Sequence, residues 1–278
     1  MTNFPVTGEP QSPTSEPADL DISVAHPARV YDYWLGGKDT FAADREAAEQ
    51  AIAANPMIVP AVRTNRSFLR RAVRYLTGEA GIRQFLDIGT GLPSANNTHQ
   101  VAQAVAPESR IVYVDNDPIV LVHARALLTG TREGATAYLD ADLRDPGSIL
   151  DKAAKTIDLS QPTALMLLAT LQLIPDDAKP QEIVAELMNA LAPGSYLVIS
   201  HPASDILPEA MAEMQRRLNE HQREITTFRP RAEVSKFFDG LDVIEPGLVQ
   251  VHRWRPDGDD VVPQEQDVTG WCAIARKS

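Results

Sequence analysis

One cysteine, a shortage of basic residues and no long hydrophobic run close several functions to this chain of 278 residues. The lone Cys272 excludes an internal disulfide and any cysteine-rich metal site, and it fits a reducing compartment. Lysine and arginine total 26 against 38 acidic residues, a formal net charge of −12. Such a surface repels phosphate backbones, so no generic nucleic-acid binding is expected. The longest apolar stretch, 164–174, is too short for a membrane span and holds Thr170 and Gln172. The opening Met-Thr-Asn-Phe-Pro has neither a basic n-region nor an apolar core, so no signal peptide and a cytoplasmic location are expected.

What is present reads as α/β. Residues 1–20 carry Pro5, Pro10, Pro13 and Pro17 among Ser, Thr and Glu, too little apolar surface to fold alone, and 1–23 reads as a disordered tail. Residues 24–80 read as a helical extension, broken at Gly36-Gly37 and Asn55-Pro56. From there to 278 apolar runs at 84–88, 111–115, 136–140, 164–169 and 195–200 alternate with helix-like segments at 96–106, 118–128 and 180–191. That alternation predicts parallel βαβ units in a doubly wound sheet. After helices at 208–221 and 231–238, strand-like runs at 241–254 and 270–276 follow with only a polar loop between them. Two successive strands predict an antiparallel hairpin at the sheet edge.

Residues 84–94, Gln-Phe-Leu-Asp-Ile-Gly-Thr-Gly-Leu-Pro-Ser, carry the strongest signal. Gly89 and Gly91 let a strand turn sharply toward a helix and leave bare backbone for a ligand. Asp87, two places before the first glycine, suits an adenosyl ligand with a cationic amino-acid moiety better than a pyrophosphate. The order Asp-x-Gly-x-Gly-x-Pro resembles the first motif of the Rossmann-like S-adenosylmethionine (SAM)-dependent methyltransferases, with Pro93 where that class usually has a third glycine. Five parallel strands plus a terminal hairpin is also that class's arrangement. A nicotinamide fingerprint wants a glycine at position 94, which is Ser.

Other positions fall at strand ends. Asp115, with Asn116 beside it, ends the second strand, where a carboxylate can accept both ribose hydroxyls; the alternative is a helix N-cap. In the methyltransferase class an acidic residue after the third strand accepts the adenine amino group, which points to Asp142 with Leu143, Asp140 being the fallback. The Asp-x-Asp pair lacks further converging ligands, so no metal is expected. Ala169 and Thr170 end the fourth strand toward the donor, and Gln172 follows toward the acceptor; capping is the alternative for Thr170 and Gln172. His201 ends the fifth strand as a candidate general base, or as a structural histidine. Arg63 and Arg66 open a basic stripe with Arg70 and Arg74, by default a solvated face; these two are the members that could reach the cofactor carboxylate, and Arg63 is the one carried forward. Tyr31, Tyr33 and Trp34 cluster just before Gly36-Gly37 and Lys38. They suggest a lid over Val24–Gln50, with Tyr33 toward the cofactor and Trp34 and Lys38 toward the acceptor, or else a helix that packs on the main body and stops at the glycines.

His26-Pro-Ala-Arg-Val-Tyr-Asp-Tyr-Trp-Leu-Gly-Gly-Lys-Asp39, Arg63-Thr-Asn-Arg66, the glycine loop with Pro93, Val114-Asp-Asn-Asp-Pro118, Ala141-Asp-Leu-Arg-Asp-Pro146, Gly194-Ser-Tyr-Leu-Val198 and Trp254-Arg-Pro256 together resemble one bacterial family. It is a family of SAM-dependent methyltransferase-like proteins with a generally unassigned acceptor. The resemblance implies SAM as donor, S-adenosylhomocysteine (SAH) as product and an acceptor that we expect to be a small molecule. Two positions depart from it: family-like sequences tend to carry Glu at 100 and His at 172, where this chain has glutamines. The competing functions are a SAM or SAH binder without turnover and a nicotinamide-dependent oxidoreductase. Oligomeric state is not legible.

Overall fold

Central strands buried on both faces set the architecture. The computed structural model describes residues 21–93, 95–127, 130–258 and 268–278. The expected tail at 1–20 lies outside the described residues, and Asp21–Ser23 are exposed. In chain order the elements are α1 (Pro27–Leu35), α2 (Ala42–Ala54), α3 (Ile58–Gly78), β1 (Gln84–Ile88), α4 (Thr98–Val105), β2 (Arg110–Asp115), α5 (Pro118–Leu127), β3 (Ala135–Asp140), α6 (Pro146–Ala153) and β4 (Ala164–Leu168). Then come α7 (Pro180–Ala190), β5 (Tyr196–Pro202), α8 (Pro208–His221), α9 (Arg231–Ser235), β6 (Asp242–Val243), β7 (Val249–Gln250) and β8 (Gly270–Arg276).

The sheet order is β3-β2-β1-β4-β5-β8-β6, with β7 also paired to β8. The first five strands run parallel, and β8 lies antiparallel to β5 from Tyr196↔Arg276 to Pro202↔Gly270. This is the Rossmann-like methyltransferase arrangement. Leu86, Val112, Leu165 and Leu197 face one apolar layer, whereas Phe85, Ile111, Met166 and Val198 face the other. Helices cover both sides, as continuous apolar strands require.

The run 241–254 is not one strand. Its apolar character continues through Pro246 and Gly247, but Pro246 has no N–H for a ladder and Gly247 sits at φ 88°. The chain therefore pairs as β6, turns at Ile244–Gly247 with Gly247 N–H on Ile244 O (2.9 Å), and pairs again as β7.

A third apolar cluster lies apart from the two sheet layers. Val30 and Trp34 of α1, Ala47 and Ala51 of α2, Ile58 and Val62 of α3, Met211, Met214 and Leu218 of α8, and Phe228 pack together as a helical cap. Helix α3 belongs to two layers. Its first turns join the cap, whereas Phe68, Ala72 and Leu76 join the sheet core. Residues 24–80 are thus half cap and half core, and α8 supplies the rest of the cap from much later in the chain.

Candidate active site

The cleft lies where the carboxyl ends of the parallel strands meet the cap, the expected position for a ligand in such sheets. It encloses about 1710 Å³, including the space open to solvent. Gly89 and Gly91 hold positive φ, 71° and 63°, which L-residues adopt at a cost. A Cβ on Gly89 would meet Thr170 at 2.5 Å, so Thr170 is wedged against the loop; one on Gly91 would meet nothing within 4 Å. Gly91 donates its N–H to Asp115 Oδ2 (2.8 Å), and Asp117 N–H reaches Oδ1 (3.0 Å). Two backbone donors orient this buried carboxylate, and about two of its lone-pair sites remain for a ligand.

Asp87 is buried and accepts the Thr98 hydroxyl at 2.6 Å. Burial pushes its carboxyl up to about 6, opposed by that hydrogen bond and by Arg66. Arg66 lines the cleft and donates to Ala95 O (3.1 Å) and Asn97 Oδ1 (3.2 Å). Asp142 and Leu143 both line the cleft; Asp142 accepts from the Arg144 N–H (2.8 Å) and guanidinium (3.0 Å). Asn116 stands exposed at the rim. Ala169, at φ 50°, donates to Ser200 O (3.0 Å) and accepts Gln172 Nε2 (2.6 Å).

His201 is wholly engaged. Nδ1 lies 2.8 Å from Pro202 O and Nε2 lies 3.0 Å from Arg229 Nη1, which makes Nδ1 the donor and Nε2 the acceptor. Burial holds the ring neutral, its pKa pushed down to about 3, with the Arg229 charge adding to the effect. Arg229 is itself anchored on Asp176 (2.7 Å) and Ile174 O (2.7 Å). The geometry thus gives His201 a structural place and leaves neither nitrogen free as a base.

Three expected site residues do not line the cleft. On α3 the lining positions are 58, 61, 62, 65, 66 and 69, an i, i+3, i+4 stripe, and Arg63 is rotated away into solvent. On α1 the stripe is Pro27, Ala28, Tyr31 and Trp34, so Tyr33 faces α2 and donates to Glu49 instead. Lys38 lies exposed past the helix end. That end is a left-handed C-cap: Gly36 at φ 86° donates to Tyr33 O, and Gly37 N–H to Asp32 O (2.9 Å each). Gly37 also packs on the Asp32 carboxylate, where a Cβ would come within 2.0 Å. The glycine pair stops α1 and seats its terminus.

Lining residues not anticipated from the sequence are His26, Asn65, Arg144, Glu224 and the α8 methionines. Asn65 was legible as the neighbour of Arg66 on the same stripe; Glu224 and α8 carried no local signal. Gln100, one of the two departures, accepts the Asn97 N–H (2.9 Å) as a helix cap, which an amide oxygen does as well as a carboxylate.

A family model described as S-adenosyl methyltransferase matches residues 13–278. The chain belongs to that family. A SAM-dependent methyltransferase has this fold, and solved structures agree. A DUF574-family protein from Streptomyces avermitilis is 44% identical over 93% of this chain and 99% of its own, with a TM-score of 0.89. A candidate methyltransferase from Thermobifida fusca is 41% identical over 95% and 99%, with a TM-score of 0.84. The plantazolicin methyltransferase BpumL, solved with SAH and a desmethyl analogue, is 10% identical over 90% and 96% with a TM-score of 0.53, a likeness of fold alone. No curated protein matches the sequence. Among the described residues no group of three or more His, Cys, Asp or Glu is placed to hold a metal. Nor is any described helix long and apolar enough to cross a membrane.

Proposed function

We propose that the cleft binds SAM and directs its methyl group to a small-molecule acceptor beneath the cap by in-line displacement. The observation that carries this is the pairing of Gly91 with Asp115: a bare, left-handed glycine with open space above it, hydrogen-bonded to a buried carboxylate that retains acceptor capacity. Asp115 would take the ribose hydroxyls, with Asn116 at the rim. Asp142 would take the adenine amino group and the Leu143 backbone a ring nitrogen. Asp87 would balance the ammonium of the amino-acid end and Arg66, in place of Arg63, its carboxylate, a bidentate partner for a guanidinium. Bound SAM supplies an already activated methyl group, so the protein needs chiefly to align the acceptor and exclude water. Thr170 holds the glycine loop in place, Ala169 lies toward the donor, Gln172 faces the acceptor side, and Trp34 helps close the cap. His201 acts as a positioning residue that fixes Arg229.

Calorimetry with SAM, SAH and NAD on the full chain tests this. Micromolar binding of both adenosyl ligands with none of NAD is expected; the reverse preference overturns the reading.

A further inference from the structure

The cap side of the cleft is apolar. Tyr31, Trp34, Met211, Met214, Leu218 and Phe228 line it. Rings and thioethers accept a bulky apolar body.

The ionisable side chains that line the cleft all have partners. Both His201 nitrogens are used, and Asp142 and Glu224 share Arg144 (3.0 and 2.8 Å). Asp87 holds the Thr98 hydroxyl, Asp115 holds two backbone N–H groups, and His26 lies 3.0 Å from Asp117. The Tyr31 hydroxyl accepts from Asn65 (3.0 Å) and donates to Val62 O (3.4 Å). Neither His201 nitrogen is free to strip a proton from an alcohol, and the cleft carboxylates are already engaged by these donors.

Two lining residues have a side-chain oxygen closed off from solvent and without a hydrogen-bond partner, Asn65 Oδ1 and Gln172 Oε1. Asn65 adjoins Arg66, at the amino-acid end. Gln172 is on the acceptor side: its backbone carbonyl accepts the Thr227 N–H (2.7 Å), next to Phe228. The bond from Nε2 to Ala169 O leaves Oε1 as the acceptor. A desolvated carbonyl without a donor is costly, so a donor from a ligand is the partner it lacks.

Resting on the methyl-transfer reading above, we propose that the acceptor is a small molecule with a bulky apolar body, methylated on an uncharged amine nitrogen whose N–H is held by Gln172. The nitrogen lone pair forms the N–C bond as the sulfur–methyl bond breaks. The sulfonium leaves as a neutral thioether and the nitrogen becomes cationic. Its N–H is then a stronger donor to Gln172 Oε1, an interaction that tightens in the transition state. The amine proton passes to water after product release, so no side-chain base is needed.

Indoline, indane and hydroxyindane serve as probes that differ in one group. With the SAH-loaded full chain, indoline should bind at least fivefold tighter than indane. In Gln172→Leu and Gln172→Met the two should bind within twofold of each other. With methyl-labelled SAM, label should enter the nitrogen of indoline and not the oxygen of hydroxyindane. Equal binding of indoline and indane, a preference that survives both substitutions, or label on hydroxyindane overturns the proposal. SAH affinity from the same titrations separates the two failures. A chain that does not bind SAH overturns the methyl-transfer reading, and one that binds SAH but ignores the amine overturns only this inference.

Discussion

His26 Nδ1 lies 3.0 Å from Asp117 Oδ2, so the N-cap residue of the cap's first helix is clasped to the segment that carries Asp115. The same nitrogen accepts the Ala28 N–H at 3.3 Å, so His26 also caps the first turn of α1. Buried Arg29 reinforces the clasp, its Nε 3.6 Å from Asp117 and 3.5 Å from Asp44. Asp44 in turn accepts the backbone N–H groups of His26 (2.9 Å) and Phe41 (2.8 Å), joining α1 and α2.

Asp117→Asn keeps the backbone N–H on Asp115 but loses the attraction for His26 and Arg29. Breaking such a buried pair costs about 3 kcal/mol of stability. Hydrogen exchange across Pro27–Leu35 should accelerate and SAM should bind about tenfold more weakly, ~1.4 kcal/mol. Unchanged affinity beside faster exchange would show that the clasp only holds the fold.

Asp115→Ala should cost roughly 1.5–3 kcal/mol of SAM binding, the range for hydrogen bonds to a charged group. Although Asp115 ends a strand, it also satisfies two backbone donors, so the melting temperature should fall as well. Full SAM affinity in this variant, read by calorimetry, would remove the ribose role.

Asp87 sets a pH dependence. Its carboxyl moves from 3.8 to about 6 on folding, so between those values the folded chain holds a proton that the unfolded chain has released. This group therefore makes the ligand-free protein less stable as pH rises from about 4 to 6. A ligand ammonium needs the ionised form, so SAM affinity should fall as pH drops below about 6, by up to tenfold per unit. Asp87→Asn should flatten that dependence; an identical pH profile in the variant would contradict the assignment.

The two loop glycines should fail differently. Gly91→Ala meets no neighbour, so it should cost about 1 kcal/mol of backbone strain yet abolish SAM binding by placing a methyl in the cleft. Gly89→Ala collides with Thr170 and should lower the melting temperature more. Thermal unfolding beside calorimetry on both variants distinguishes the two effects.

His201→Leu should lower the melting temperature, because Arg229 loses an acceptor. The pH profile of methyl transfer should keep its shape, since a ring neutral down to about 3 contributes no titration near neutrality. Loss of an ionisation between pH 5 and 8 would restore the base role.

The central strands and the glycine loop were legible because parallel strands buried on both faces are written as continuous apolar runs. Helical phase was harder to read. Arg63 and Arg66, or Tyr31 and Tyr33, differ only in rotation about an axis, and packing against the neighbouring helices of the cap decides which member faces the cleft. The state of His201 depends on Arg229, 28 positions away, and no local pattern announces such a bond. The division at residue 80 follows composition, whereas α3 runs through the layers as one helix of about 31 Å.

The cap's two halves also set a timetable for synthesis. Asn55 Nδ2 meets Met211 Sδ at 3.3 Å across 156 positions of chain. At roughly 5–20 residues per second, a ribosome takes about 8–30 s to make that span. Throughout that interval the apolar stripes of α1 and α2 lack their α8 partner. The N-terminal helices must therefore wait for α8, and the cleft cannot be roofed until α8 has emerged.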